Sequence, residues 1–255
     1  MARRKNPEAK MSLGGHFREL RKRLFWSALF IGAGAVAGWF FYPQFFELLM
    51  SPLNDIASRR DDVKINFSGV MSAFDLQLQV SSFLGVMAAS PVWLFNLWAF
   101  ITPALKKRER RYTIGFLASA LPLFFAGAWL AWVSLPAFMT TLISFTPSST
   151  TNFIVANDYI LFVLRILLVF GLAFVMPVVL VLLNLAGLIT AKSIFKSWRL
   201  AVFVIAVIAA LATPTADPLS MFVLMAPLTA LYFASGGVAW ITDRRRRKQL
   251  GQDVE

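Results

Sequence analysis

Two carboxylates stand inside blocks of cations that border long apolar runs. Glu19 lies in His16-Phe17-Arg18-Glu19-Leu20-Arg21-Lys22-Arg23, and Glu109 in Lys106-Lys107-Arg108-Glu109-Arg110-Arg111. A carboxylate so placed has two uses. It can pair within the chain, and Glu19 and Arg23 have the i,i+4 spacing that suits this on a helix. It can also receive a cation from another molecule. A guanidinium presents a planar fork that matches a carboxylate bidentately and an ammonium does not, so such a site favours Arg over Lys. The neighbouring cations keep the carboxylate ionised and compete with an incoming arginine. The residues alone leave both uses open.

Other chemistry is excluded by what the chain lacks. It has no cysteine and one histidine, His16, so a thiolate nucleophile, a Cys or His metal cluster and a Ser–His relay are ruled out. His16 reads first as a surface or capping residue. No Walker A loop is present, and the apolar runs hold no ladder of Asp, Glu and His to carry ions. No cofactor is expected. The function classes that remain are binding or transport without catalysis, with a purely structural scaffold behind them.

The elements that must position these residues are membrane helices. Hydrophobic residues make up 58% of the chain and the mean hydropathy is +0.67, against about 45–50% apolar content in soluble domains. The formal charge is nevertheless +12. The apolar runs fall at about 24–46, 78–102, 112–135, 159–185, 198–212 and 219–241. The first is about 23 residues long, enough to cross a hydrocarbon core of about 30 Å, and it reads as a span rather than a cleaved leader. The fifth reaches only about 22 Å. It must thin the bilayer, extend into its flanks or form a re-entrant pair with the sixth.

Basic residues crowd the N-terminal tail (1–23), the turns after the second and fourth runs, and the C-terminal tail (244–255). Only Arg59, Arg60 and Lys64 lie on the other side, and Arg165 lies within a run. The positive-inside rule then puts both termini in the cytoplasm. With the cations confined to these blocks, nucleic acid is not an expected partner. The expectation is an all-α integral membrane protein of six spans, in a domain covering 24–243, with a disordered tail from 244. The loop at about 47–77 is expected to cap the outer face. Arg165 either snorkels to the outer interface or pairs with Asp158, Asp217 or Asp75. Pro91, Pro122, Pro136, Pro177 and Pro227 are expected to bend the spans into a curved array.

The order of these motifs resembles the TatC family, the polytopic subunit of the twin-arginine protein translocase. The carrying residues are His16-x-x-Glu19-Leu20-Arg21-x-Arg23-Leu24, Ser51-Pro52-Leu53, Ser90-Pro91-Val92 and Trp98-Ala99-Phe100-Ile101-x-Pro103-Ala104-Leu105 running into Glu109-Arg110-Arg111. Phe170-Gly171-x-x-Phe174-x-x-Pro177-Val178 and Thr213-Pro214-x-x-Asp217-Pro218 complete the set. The resemblance covers about residues 12–243.

It implies a cup-like arrangement of six helices in the cytoplasmic membrane of a prokaryote. It also implies binding of twin-arginine signal peptides of folded export substrates, at Glu19 and Glu109 with Arg21 and Phe100 beside them and Leu20, Arg23 and His16 in the same motif. Export would be driven by the proton-motive force, with the single-span subunits TatA and usually TatB and with self-association in a larger complex. Two positions depart from the family. Val175 stands where a Glu is common and Met221 near where a Gln is common, both associated with partner docking. Packing on Met176 and Met221, with Arg165, is the expected substitute. A generic polytopic transporter or insertion factor is the alternative reading.

Overall fold

The computed structural model describes residues 13–59, 63–67, 69, 71–101, 110–144, 151–185, 187–212 and 218–249. In chain order its elements are α1 (Leu13–Phe40), α2 (Tyr42–Arg59), β1 (Val63–Asn66), α3 (Ser72–Ala88), α4 (Ser90–Ile101) and α5 (Arg110–Ile143). There follow β2 (Asn152–Val155), α6 (Ala156–Leu185), α7 (Ala191–Lys196), α8 (Trp198–Ala212) and α9 (Pro218–Gln249). Segments Phe17–Phe40, Gly115–Ile143, Ala156–Leu185 and Leu224–Arg246 are long and apolar enough to cross a membrane. Helices α3 and α4 together make a fifth candidate, bent by 61° at one residue. The 15-residue α8 is apolar but short. The described residues therefore carry four or five full spans, against the six expected from the apolar runs.

Prolines decide where two of those runs break. The first run does not continue to residue 46. It ends at Phe40, and Phe41 to Phe46 turn into the amphipathic α2. Pro43 has no amide hydrogen, and within a continuous helix its ring would clash with the carbonyl four residues earlier; in the first turn of a new helix it is tolerated. The second run begins earlier than expected, at Ser72, and breaks at Ala89, two residues before Pro91. There the Trp93 indole Nε1 donates to the Val86 carbonyl at 2.9 Å, across the broken turn. Pro122, Pro136, Pro177 and Pro227 lie inside continuous helices.

The segments expected as outer loops also differ from that reading. β1 pairs in parallel with β2, Val63 opposite Asn152 through Asn66 opposite Val155. This two-stranded sheet joins the segment after α2 to the segment before α6. At the other extreme, α9 continues through Arg244 to Gln249 where a disordered tail was expected. Arg, Lys and Gln are good helix formers and no Gly or Pro intervenes before Gly251, so nothing in that stretch stops the helix.

Three apolar clusters hold the helices. The largest joins α2, α3, α5 and α6 around Leu53, Leu76, Val80, Leu135, Ile160 and Val163. Tyr159 adds a buried hydroxyl that donates to the Leu49 carbonyl at 3.1 Å. A second joins α4, α5 and α6 through Leu94, Trp98, Phe116, Phe124 and Val175. A third joins α7, α8 and α9 around Ile194, Ile205, Leu228 and Tyr232. Much of the remaining apolar surface, including Phe25, Leu29, Leu200 and Phe203, is exposed, as suits helices immersed in lipid.

Helices α1 and α3 approach backbone to backbone. A Cβ placed on Gly85 would lie 2.4 Å from the Ile31 carbonyl oxygen, and one on Gly34 would lie 2.9 Å from the Gly85 Cα. Small residues permit such contact, and in lipid van der Waals packing is a main source of helix association. Gly85→Ala should push α1 from α3 and lower stability by about 1–3 kcal/mol. Gly32 has open space beside it, so Gly32→Ala should be neutral or slightly stabilising. Thermal unfolding of both variants in detergent checks the contrast.

Candidate functional site

Glu19 and Arg23 lie one turn apart near the start of α1. Arg23 donates through Nε to Glu19 Oε1 at 3.0 Å, and Nη2 reaches the same oxygen. The pair forms because the carboxylate is N-terminal to the cation at i,i+4, the more favourable order. The side chains are 22% and 24% exposed respectively. The internal pairing left open by the sequence is thus present. It is, however, one-sided. The second oxygen, Oε2, is enclosed and has no hydrogen-bond partner among the described residues. A carboxylate oxygen held from water without a donor is destabilised, and any group that supplies one gains that difference.

The pair forms the floor of a groove of about 460 Å³, bordered by Arg18, Lys22, Trp26 and Asn96. Helix α4 supplies the far wall. Asn96 donates to Ser27 Oγ at 3.0 Å and reaches the Arg23 carbonyl at 3.5 Å. Ser27 is buried, so this polar contact fixes α4 against α1 within otherwise apolar packing. Phe100 follows Asn96 by four residues, on the same helical face, and is partly buried. Trp98 turns the opposite way and stacks on Phe116 at 4.5 Å with 10° between the rings. Helix α4 is therefore pinned on two sides, and its position relative to Glu19 is set by both.

The other expected residues fall as follows. Arg21 is exposed and Leu20 partly buried. Glu109 and Asp217 lie outside the described residues, as does the side chain of His16. Pro52 is buried within α2 and Pro91 is exposed in the first turn of α4. Arg165 is exposed on α6 and makes no ion pair among the described residues. Asp75 instead accepts from Gln79 at 2.7 Å. Val175 is 3% exposed and belongs to the cluster of Trp98 and Phe124. Met176 packs towards α8 and α9, Pro177 lies within α6, and Met221 is partly buried on α9. Among the described residues no group of His, Cys, Asp and Glu is arranged to hold a metal. Asn96 and Ser27 are the residues that sequence reasoning missed. The available signal was an amide inside a membrane run, a placement that costs free energy unless the group is partnered.

What the groove can do chemically is bind. Among the described residues it offers one carboxylate, an aromatic ring and a rim of cations, with no nucleophile or paired acid and base. Among known proteins, the family description Sec-independent protein translocase protein (TatC) matches residues 15–227. A TatC of Xylanimonas cellulosilytica is 44% identical over 237 residues, covering 92% of this chain and 86% of that one. A TatC of Rothia mucilaginosa is 41% identical over 254 residues, covering 98% and 86%. A crystal structure of the twin arginine translocase receptor TatC superposes with a TM-score of 0.79 at 31% identity, covering 89% of this chain and 98% of that one.

The Asn96–Ser27 contact is testable directly because the chain contains no cysteine. Cysteines placed at 27 and 96 should be joined by a short bis-maleimide in membranes. A pair at 25 and 96 should not react, since Phe25 faces outward. Gel mobility after proteolysis between the two helices reads the outcome.

Proposed function

The chain belongs to the TatC family, and from that premise we propose that Glu19, with Glu109, receives the paired arginines of twin-arginine signal peptides. The family is a component of a protein translocase and not an enzyme. The observation that carries the proposal is the half-satisfied carboxylate. Glu19 already holds one guanidinium, that of Arg23, on one oxygen, and its other, enclosed oxygen has no donor among the described residues. Arg23 thus rehearses the chemistry of the ligand. An arriving arginine displaces Arg23 or turns the Glu19 side chain to reach that oxygen, and the i,i+4 pair it competes with is worth only about 0.3–0.5 kcal/mol.

Specificity follows from short range rather than long range. The site lies in a strongly basic chain, and Arg18 and Lys22 border the groove itself. Long-range electrostatics therefore repel a cationic peptide, and screening at about 8–10 Å limits that repulsion. Only a group that makes two directed bonds at contact recovers the difference, which selects guanidinium over ammonium. Phe100, on the Asn96 face of α4, and Trp26 offer apolar surface for the residues that follow the arginines, while Arg21 balances the carboxylate charge.

The basic end faces the cytoplasm, with both termini there, in the cytoplasmic membrane of a prokaryote. Helix α8 acts as a short sixth crossing beside α9, and the array forms a cup. TatA, and TatB where it exists, pack on the α6 and α9 surface that carries Met176 and Met221, with Arg165 nearby. Assembly with these subunits supports export driven by the proton-motive force.

Glu19→Gln and Glu109→Ala should each reduce export of a twin-arginine reporter about thirtyfold or more, the effect of leaving a desolvated cation unpaired. A twin-lysine reporter should stay unexported throughout. Arg23→Gln should tighten binding of the isolated signal peptide about twofold, by removing the internal competitor. Normal export in both carboxylate variants, with the protein present in the membrane at its usual level, would falsify the assignment.

A further inference from the structure

A second pocket lies at the basic end of α9, and none of its lining residues borders the groove at Glu19. It has a volume of about 670 Å³ and is lined by Ala191, Lys192, Phe195, Trp240, Asp243 and Arg244 together with Thr190. Its wall is divided by chemistry. Phe195 and Trp240 present exposed rings. Lys192 and Arg244 are exposed cations, and neither forms an ion pair among the described residues. Arg244 lies over the Trp240 ring at 5.5 Å.

Asp243 is the one carboxylate in the wall, and its oxygens are engaged from within the protein. Oδ1 accepts from Asn184 Nδ2 at 2.8 Å and Oδ2 from the Ala191 amide at 2.8 Å. Asn184 is 2% exposed and also donates to the Ile189 carbonyl at 3.0 Å. This network ties the turn between α6 and α7 to α9. The turn itself runs through Gly187 at φ +77°, a backbone conformation that side chains rarely adopt. The backbone that carries the two cations is thus tied together by a hydrogen-bonded base, and the carboxylate oxygens are engaged there rather than by Lys192 or Arg244.

Two exposed cations beside aromatic rings, where an apolar helix gives way to a run of arginines, fit an amphiphile with an anionic head. A free anion would leave the apolar wall unused. We propose that this pocket binds the phosphate of an anionic phospholipid between Lys192 and Arg244. The acyl chains would follow the exposed face of α9 marked by Phe233, Trp240 and Ile241. The headgroup then bridges α7 and α9, adding a charge-assisted link to the Asp243 staple.

The test uses the full chain in nanodiscs of phosphatidylcholine with and without phosphatidylglycerol, with retained lipid read by native mass spectrometry. The wild type should retain phosphatidylglycerol in preference to phosphatidylcholine. The Lys192→Gln/Arg244→Gln variant should retain about twentyfold less, about fivefold for each cation removed. Arg245→Gln, on the same helix end but outside the pocket, should change retention little. Equal loss in Arg245→Gln, or no loss in the double variant, would overturn the site. In a second arm, inorganic phosphate is added to delipidated protein in detergent. A thermal stabilisation as large as that given by phosphatidylglycerol would overturn the lipid as occupant, because the apolar wall would then contribute nothing.

Discussion

Within a bilayer the backbone has no water to bond, so each interruption of a helix must be met by a group the protein itself supplies. The rest of this structure depends on that constraint. Its long helices satisfy themselves, and polar side chains meet several of its breaks. The Trp93 indole meets the Val86 carbonyl at the bend between α3 and α4. Tyr232 meets the Ile194 carbonyl at the end of α7. Asn184 and Asp243 together meet the turn between α6 and α7. An apolar replacement at any of these positions would keep the volume and lose the donor or acceptor that makes the break tolerable.

The same constraint explains why the two candidate sites share one end of the bundle. Contacts run from α1 to α4 through Ser27 and Asn96, from α4 to α5 through Trp98 and Phe116, and from α6 to α9 through Asn184 and Asp243. The Phe116 cluster includes Val175 and reaches Leu182 on α6, which closes the series. The start of α1, the ends of α4 and α6 and the end of α9 are therefore neighbours in sequence along that series. Charge cannot be carried into the apolar interior, so it collects where helices terminate, and binding chemistry collects with it.

The sequence disclosed the apolar runs, the pairing option at Glu19 and the bend beside Pro91, because each depends on residues within a few positions of one another. Less was legible where distant segments meet. The β1 and β2 strands are four residues each and separated by three helices, so neither carries a pattern that announces the other. The break at Phe41 was hidden by the aromatic residues that carry hydropathy across it from Trp39 to Phe46, although Pro43 marked it. Asn96 drew no reading from the sequence, because its meaning depends on Ser27, which lies 69 positions away. Asp243 drew none either, because its partners are Asn184 at the end of α6 and the Ala191 amide.

Glu19 shows how a binding site can be kept available in a field of like-charged neighbours. Had Arg23 taken both oxygens, an arriving guanidinium would have to break a full bidentate pair before gaining anything. Had no cation been near, nothing within the helix would hold the carboxylate in one orientation. One oxygen held and one enclosed without a donor among the described residues lies between these cases. The internal arginine keeps the carboxylate aimed, while the unpartnered oxygen preserves a net gain for a ligand that turns the side chain and donates to it. The short i,i+4 tether makes that arrangement local to a single turn of α1, so it is set as soon as the helix forms and does not wait on the packing of α4.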